Sequence, residues 1–161
     1  MELIKRGVVV EDGFKRVADD GELSSGDVLV SWARLQAEAA SLLARSGRVG
    51  VRVPNDVDLE ALAPYVEQLD LIAIEFPTYT DGRGYSLARR LRERHGFRGE
   101  LRAVGDVLRD QLFYMRRCGF DAFELKEGKD VAGALEAFRE FSVTYQGAAD
   151  DPRPLFRRRG G

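Results

Sequence analysis

Strand-like and helix-like patterns alternate five times along this chain, and this alternation constrains its fold more than any other feature. Each short apolar run is followed by apolar side chains at helical spacing. Parallel neighbours in a sheet can be joined only by crossover segments, which are usually helices. The pattern therefore predicts an α/β fold with a mostly parallel sheet of about five strand–helix units. The strand and helix of each unit are 28–31 and 32–45, 49–53 and 59–69, 71–76 and 85–95, 100–104 and 107–118, and 122–125 and 131–141.

The two ends of the chain differ from this repeat. Apolar runs near the start, followed by the turn dipeptide Asp12-Gly13 and a further short run at 14–17, predict an N-terminal β-hairpin. The last residues combine two prolines with charge and few apolar side chains, which is typical of an exposed or disordered tail. The length of 161 residues fits one domain. We expect a hairpin and loop over 1–24, strand–helix repeats over 25–145, a single domain over 1–145, and the tail over 146–161.

Four charged residues lie inside the predicted strands, at positions that would face the same side of the sheet. They are Arg52, Glu75, Arg102 and Glu124. Helices on both faces would favour strands that are apolar almost throughout. The charges therefore favour a curled sheet with helices on one face, an incomplete (β/α) barrel, and a flavodoxin-like three-layer sandwich is the alternative. The four charges are either a salt-bridged ladder or, for the two arginines, an anion pocket at the barrel mouth, and both can hold at once.

A polar loop follows the third predicted strand, at the sheet edge where α/β proteins bind ligands. Gly82 and Gly84 permit close backbone approach, and Arg83 offers a two-pronged fork for an oxyanion. The helix that follows adds backbone amide donors. We therefore expect Thr78, together with these three residues, to bind an anion. The alternative is a glycine turn in which Asp81 pairs with Arg83.

A second polar cluster follows the fourth predicted strand. Asp106 is placed to cap the next helix. Arg109 falls in the first turn of that helix, where the helix dipole disfavours a cation, so a functional role is the better explanation for it. Asp81 and Asp106 are the candidates for an acid or base. The arginines expected to bind an anion are thus Arg52, Arg83, Arg102 and Arg109.

Composition excludes several classes of function. The chain has 25 basic and 27 acidic residues, a net charge of −2, so nothing attracts it globally to nucleic acid or to an anionic membrane. With only Cys118 and His95, one chain cannot assemble a zinc or iron–sulfur site of usual composition. The cofactor is unknown, because neither a dinucleotide fingerprint nor a P-loop is present. The chain has neither a membrane-length apolar run nor a signal peptide, so we expect a cytoplasmic protein.

The segment 76–125, FPTYTDGRGYSLARRLRERHGFRGELRAVGDVLRDQLFYMRRCGFDAFEL, closely resembles a bacterial family of unknown function, number 934. The blocks DGRGYS at 81–86 and RAVGDVLRDQ at 102–111 carry the resemblance, which extends more weakly over roughly 25–145. Members of that family are commonly encoded beside assimilatory sulfite reductase and are often described as probable oxidoreductases of sulfite reduction. The resemblance thus implies a pathway, and it carries over no catalytic residues.

Two functions follow as expectations. The first is an accessory protein of assimilatory sulfate and sulfite reduction that acts with sulfite reductase or binds a small oxyanion. The second is an oxidoreductase or other enzyme with an arginine-lined pocket at the strand C-terminal ends, which would need a borrowed cofactor or electrons. An incomplete barrel also leaves edge strands exposed, so we expect the N-terminal hairpin or a second subunit, in a homodimer, to cover them.

Overall fold

A computed structural model describes residues 2–78, 82–107 and 111–125. The predicted α/β class is confirmed, since an eight-stranded sheet curls into a half-barrel and helices pack against its outer face. The strands are β1 (Glu2–Lys5), β2 (Val8–Val10), β3 (Lys15–Arg16), β4 (Val28–Ser31), β5 (Val49–Pro54), β6 (Leu71–Phe76), β7 (Glu100–Gly105) and β8 (Ala122–Leu125). The helices are α1 (Trp32–Ala44), α2 (Leu59–Leu62), α3 (Arg83–Glu93) and α4 (Leu112–Cys118), with a 3₁₀ helix over Ala63–Gln68.

The strand order in the sheet is β2-β1-β8-β7-β6-β5-β4-β3. Strands β3 to β8 are parallel and adjacent in sequence order, whereas β1 and β2 are antiparallel additions beside β8. A flavodoxin-like sandwich requires a reversal in strand order, and this sheet has none. The expected set of about five parallel strands is thus six parallel strands in the structure, and the two antiparallel strands bring the sheet to eight.

The N-terminal hairpin forms as expected between β1 and β2, and it covers the edge of β8. The third apolar run was wrongly assigned to it. Residues Lys15 and Arg16 instead form β3, which pairs with β4 at the opposite edge of the sheet. Tertiary pairing decides this placement. The Asp12-Gly13 dipeptide is compatible both with a hairpin turn and with a connection between the two edges of the sheet, so the local sequence does not distinguish them.

The side chain of Arg16 shows how strongly the sheet curls. Arg16 on β3 donates a hydrogen bond to Glu124 on β8, although four strands separate the two in the sheet. In a flat sheet those strands would lie about 24 Å apart, because neighbouring strands are about 4.8 Å apart. No arginine side chain spans that distance, so β3 and β8 must face each other across the concave side.

Alternation along the strands divides the core into two layers. Outward-facing residues such as Val51 and Ile72 pack with Leu35 and Leu91 of the helices in the main core. The concave side holds a smaller apolar cluster. Its members are Phe14, Leu29, Leu71, Ala73 and Val104.

Helix ends deviate from the predicted bounds for local reasons. The helix after β5 is α-helical only to Leu62 and continues as a 3₁₀ helix, because Pro64 has no backbone N–H to donate. Asp58 caps it as expected, and its Oδ1 accepts a hydrogen bond from the Glu60 N–H at 3.0 Å. The helix predicted over 131–141 and the tail over 146–161 lie outside the described residues.

Candidate functional site

The sequence-predicted site residues fall in two separate places. Arg52 and Arg102 lie on β5 and β7 and face the concave side with Glu75 and Glu124, as the alternation predicted. Arg83 opens α3 in the outer helical layer. Exposed Thr78 follows β6. The three predicted arginines that the structure describes therefore do not share one pocket, and Asp81 and Arg109 lie outside the described residues.

Arg102 is the centre of a buried ion network. Only 1% of its surface is exposed. Its two terminal nitrogens donate to the carboxylate of Asp12 at 2.8 and 3.1 Å, and its Nε donates to Glu100 at 2.8 Å. Glu124 lies 3.9 Å from the same guanidinium. Salt bridging is what the structure supports at this position, because an anion would have to displace carboxylates that already occupy the donors.

The pKa of Asp12 reflects this network. Partial burial alone would raise the pKa of the carboxyl group, but hydrogen bonds from Arg102 and the Phe14 N–H, with the positive charges of Arg102 and Arg16, hold it below its ordinary value. Asp12 belongs to the link between β2 and β3. The ion network thus joins the two edges of the curled sheet.

Arg52 occupies a more open position on the same face. Its Nε lies 3.8 Å from Glu75, and both side chains are about half-exposed. Such a pair contributes little to stability because water screens it. Anion binding by Arg52 stays a prediction.

The two loop glycines have different surroundings. A Cβ at Gly84 would lie 2.6 Å from the ring of Phe76, which is itself buried, so close packing of α3 on β6 requires glycine there. At Gly82, the nearest atom to such a Cβ is a ring carbon of Tyr85 at 4.0 Å. Gly84 is explained by packing, and its predicted role in approaching an anion is not needed to account for it.

The predicted capping role of Asp106 concerns a helix start that lies partly outside the described residues, so it stays a prediction. Helix α4 is described from Leu112, with Gln111 at its N-cap position. The backbone N–H of Asp106 donates to the carbonyl of Phe76 at 2.8 Å. This bond follows from Gly105, whose φ of 95° turns the chain back over the end of β6.

A groove of about 940 Å³ runs between α3 and the segment that follows β5. Arg83, which the sequence singled out, lies on its α3 wall, whereas Arg52, Arg102 and Asp106 do not line it. The α3 side contributes Arg83, Ser86, Leu87, Arg90, Arg94 and His95. The opposite side contributes Asn55, Asp56, Val57, Asp58, Leu59, Glu60 and Ala63.

Three arginines form one stripe along the α3 wall. Arg83, Arg90 and Arg94 are separated by seven and four residues, which at 3.6 residues per turn places them on one side of the helix. Arg83 lies 3.6 Å from Asp56 across the groove, with both side chains exposed. Arg90 and Arg94 form no ion pair with any residue that the structure describes. Two guanidinium groups therefore line the groove without a described carboxylate within ion-pair distance.

Asn55 supplies a third polar group to the same groove. It directly follows β5 and is 6% exposed, yet its Nδ2 has no hydrogen-bond partner within the described ranges. An unsatisfied buried amide donor costs about 1–3 kcal/mol, so a ligand oxygen that accepted from it would relieve that cost. Sequence reasoning missed Asn55, Arg90 and Arg94. The only available signal was an asparagine at the C-terminal end of a parallel strand, where ligands bind.

Two further kinds of site find no support in the part of the chain described. Within residues 2–78, 82–107 and 111–125, no group of three or more His, Cys, Asp and Glu side chains is placed to hold a metal ion. No helix in those ranges is long and apolar enough to cross a membrane.

The curled sheet, its outer helices and this groove together define an α/β half-barrel domain with a candidate anion-binding groove on its helical layer. The chain belongs to the family described as Bacterial protein of unknown function (DUF934), whose model matches residues 50–156. This confirms the resemblance that the DGRGYS and RAVGDVLRDQ blocks indicated, and every residue that lines the groove lies inside the matched region. No curated protein matches the chain.

Proposed function

We propose that this protein is a cytoplasmic accessory protein of assimilatory sulfite reduction, which binds an oxyanionic group in the α3 groove and acts with sulfite reductase. The observation that carries the anion part is the Asn55 amide, which has no hydrogen-bond partner among the described residues, in a groove lined by Arg90 and Arg94, which form no ion pair with any described residue. Guanidinium and amide donors are the groups that hold sulfur and phosphorus oxyanions in proteins. The pathway part is supported by the family resemblance alone.

We rank the enzymatic alternative second. Asp106, one of the two candidates for an acid or base, does not line the groove, and Asp81 lies outside the described residues. Titratable groups do line the groove, but nothing in the described residues assigns any of them a reacting partner, whereas binding requires only the donors that are present.

The binding proposal is tested by calorimetric titration of the protein with sulfite, sulfate and phosphate. We expect the variant R90Q/R94Q to bind at least about tenfold more weakly, a loss of about 1.4 kcal/mol. Asn55→Asp keeps the size of the side chain but replaces the amide donor with a carboxylate, so it should weaken binding as well. Arg52→Gln is the matched control, because Arg52 lies on the concave face. Affinity that depends on Arg52 and is unchanged in R90Q/R94Q would reject the groove.

The pathway proposal needs a separate measurement. Sulfite-to-sulfide conversion is compared in extracts of a strain that lacks this gene, with and without purified protein added back. We expect the added protein to restore conversion, and R90Q/R94Q to restore less. Full conversion without the protein would remove the sulfur assignment while leaving the anion site in place.

We also propose a homodimer that pairs through β2. This strand bonds only to β1 in the described sheet, and it exposes Val8 and Val9. Unpaired apolar edge strands are surfaces for strand pairing. Light scattering at micromolar concentration should give twice the chain mass, and a monomer would contradict the proposal.

A further inference from the structure

Among the described lining residues, the wall opposite α3 has as many carboxylates as the α3 wall has arginines. Asp56, Asp58 and Glu60 face the three arginines across the groove. Apart from His95, the described residues of the lining carry three formal positive and three formal negative charges, which sum to zero. A bare inorganic anion would be attracted by one wall and repelled by the other, so the groove as a whole is not matched to such an ion.

Among the described residues, the two charged walls are in direct contact at one end of the groove. Arg83 and Asp56 are paired there at 3.6 Å. Further along, Arg90, Arg94 and Glu60 form no ion pair with any described residue, which means that no guanidinium nitrogen of these arginines lies within 4.0 Å of a described carboxylate. Opposite charges thus face one another across a gap that a ligand can bridge.

The lining between the walls is apolar. Val57, Leu59 and Ala63 on one side and the buried Leu87 on the other present aliphatic surface. A volume of about 940 Å³ is far larger than a single sulfite or sulfate ion needs and lies in the range of sites for organic molecules, about 300–1,000 Å³. The groove can therefore hold a ligand with a methylene chain between two charged ends.

We propose that the natural ligand of the groove is a zwitterion of the amino-acid class. Its carboxylate or sulfur oxyanion contacts Arg90 and Arg94, its ammonium group faces Glu60, and its aliphatic part packs on Leu87. Asn55 donates to a ligand oxygen. This inference rests on the proposed function, because the same arginines hold the anionic end.

Calorimetric titrations with ω-aminoalkanoates test this assignment. The probes are 4-aminobutyrate, 6-aminohexanoate and 8-aminooctanoate, with hexanoate and hexylamine as carriers of each charge alone. We expect the best-fitting zwitterion to bind at least about tenfold more tightly than either singly charged probe. Glu60→Gln should reduce its affinity to that of the corresponding carboxylate. Glu93→Gln is the matched control, because Glu93 pairs with Arg89 and does not line the groove.

The outcomes separate this inference from the proposed function. The zwitterion assignment is overturned if hexanoate and all three zwitterions bind equally. It is also overturned if Glu60→Gln leaves the affinity for the best-fitting zwitterion unchanged. If sulfite binds through Arg90 and Arg94 while no aminoalkanoate binds, the oxyanion proposal stands and the zwitterion inference fails. If neither sulfite nor any aminoalkanoate binds, both are rejected. Sulfite affinity that is unchanged or improved in Glu60→Gln agrees with the inference, since that carboxylate should only repel a bare anion.

Discussion

Arginines and carboxylates lie both on the concave face of the sheet and in the α3 groove, but their arrangement differs between the two places. On the concave face, Arg102 is 1% exposed and its donors are taken by Asp12 and Glu100. In the groove, Arg90 and Arg94 are exposed and have no described carboxylate partner. The contrast teaches that an arginine inside a strand is weak evidence for an anion site. What matters is whether its hydrogen bonds and charge are already satisfied.

The strongest way to break this comparison is Arg102→Leu. Removing one partner from a buried ion network leaves the others unpaired, so we expect a loss of about 3–5 kcal/mol in the free energy of unfolding. Urea denaturation measures it. Arg52→Leu is the control on the same face, and it should cost less than about 1 kcal/mol because its pair with Glu75 is half-exposed. Equal stability of Arg102→Leu and wild type would mean that the network is dispensable and that Arg102 is free for a ligand.

The second test of this comparison is the part of the pH dependence of stability that Asp12 contributes. Its folded pKa is lowered, so its contribution is fully present above the unfolded value of about 3.8 and is lost as pH falls through the lower folded pKa. Asp12→Asn should therefore destabilise at pH 5 to 7, by less than Arg102→Leu because Glu100 still pairs with Arg102. The difference from wild type should shrink in acid. A difference that stays constant down to pH 2 would contradict the pairing.

Asp121 provides a control of opposite sign for this experiment. Burial raises its pKa, against the charge of Arg92 and a hydrogen bond from the Leu101 N–H. A group whose pKa is higher in the folded chain than in the unfolded chain contributes stability at pH values below its unfolded pKa. That contribution is lost as the pH rises through its folded pKa. The stability difference between Asp121→Asn and wild type should therefore change with pH in the opposite direction to that of Asp12→Asn.

Much of the fold followed from the sequence because it depends on local periodicity. The strand–helix alternation predicted β4 to β8 in their order, and the alternation within strands predicted that Arg52 and Glu75 share the concave face. Short-range signals failed where partners are distant in the sequence. Lys15 and Arg16 join β4 at the far edge, and no local pattern distinguishes that from a third hairpin segment.

The site was less predictable, for a physical reason. Arg83 was found because it lies between two glycines after a strand, which is a local signal. That Arg90 and Asn55 have no partner among the described residues is a property of the folded chain, whereas an arginine-rich helix such as RGYSLARRLRE is typical of a solvated surface. For Gly84 the structure adds a packing reason that the sequence did not show, since Phe76 packs where a side chain would be, and its role in approaching an anion stays a prediction.

The next test asks whether packing at Gly84 holds the α3 wall of the groove in place, with Gly82 for comparison. Gly84→Ala places a methyl group 2.6 Å from a Phe76 ring atom, so we expect overpacking to cost about 1–3 kcal/mol, reduced by the better helix propensity of alanine. In Gly82→Ala the added methyl group meets no atom of the described residues closer than 4.0 Å, so this variant should be nearly neutral. Denaturation measures both variants. Equal effects would mean that α3 can shift without cost, and that the groove wall is not held in place by this contact.

The smallest expected effect separates function from stability. Arg90→Gln should change the free energy of unfolding by less than about 0.5 kcal/mol, because the side chain is exposed and makes no described ion pair. The same variant should weaken binding of sulfite or of the best aminoalkanoate. Arg92→Gln is its opposite, since Arg92 donates to the carbonyls of Phe97, Gly99 and Gly119 and should be clearly destabilising while leaving groove affinity unchanged. If Arg90→Gln unfolds the chain as readily as Arg92→Gln, then Arg90 is a structural residue like Arg102, and the distinction between a satisfied network and an open site does not hold for this protein.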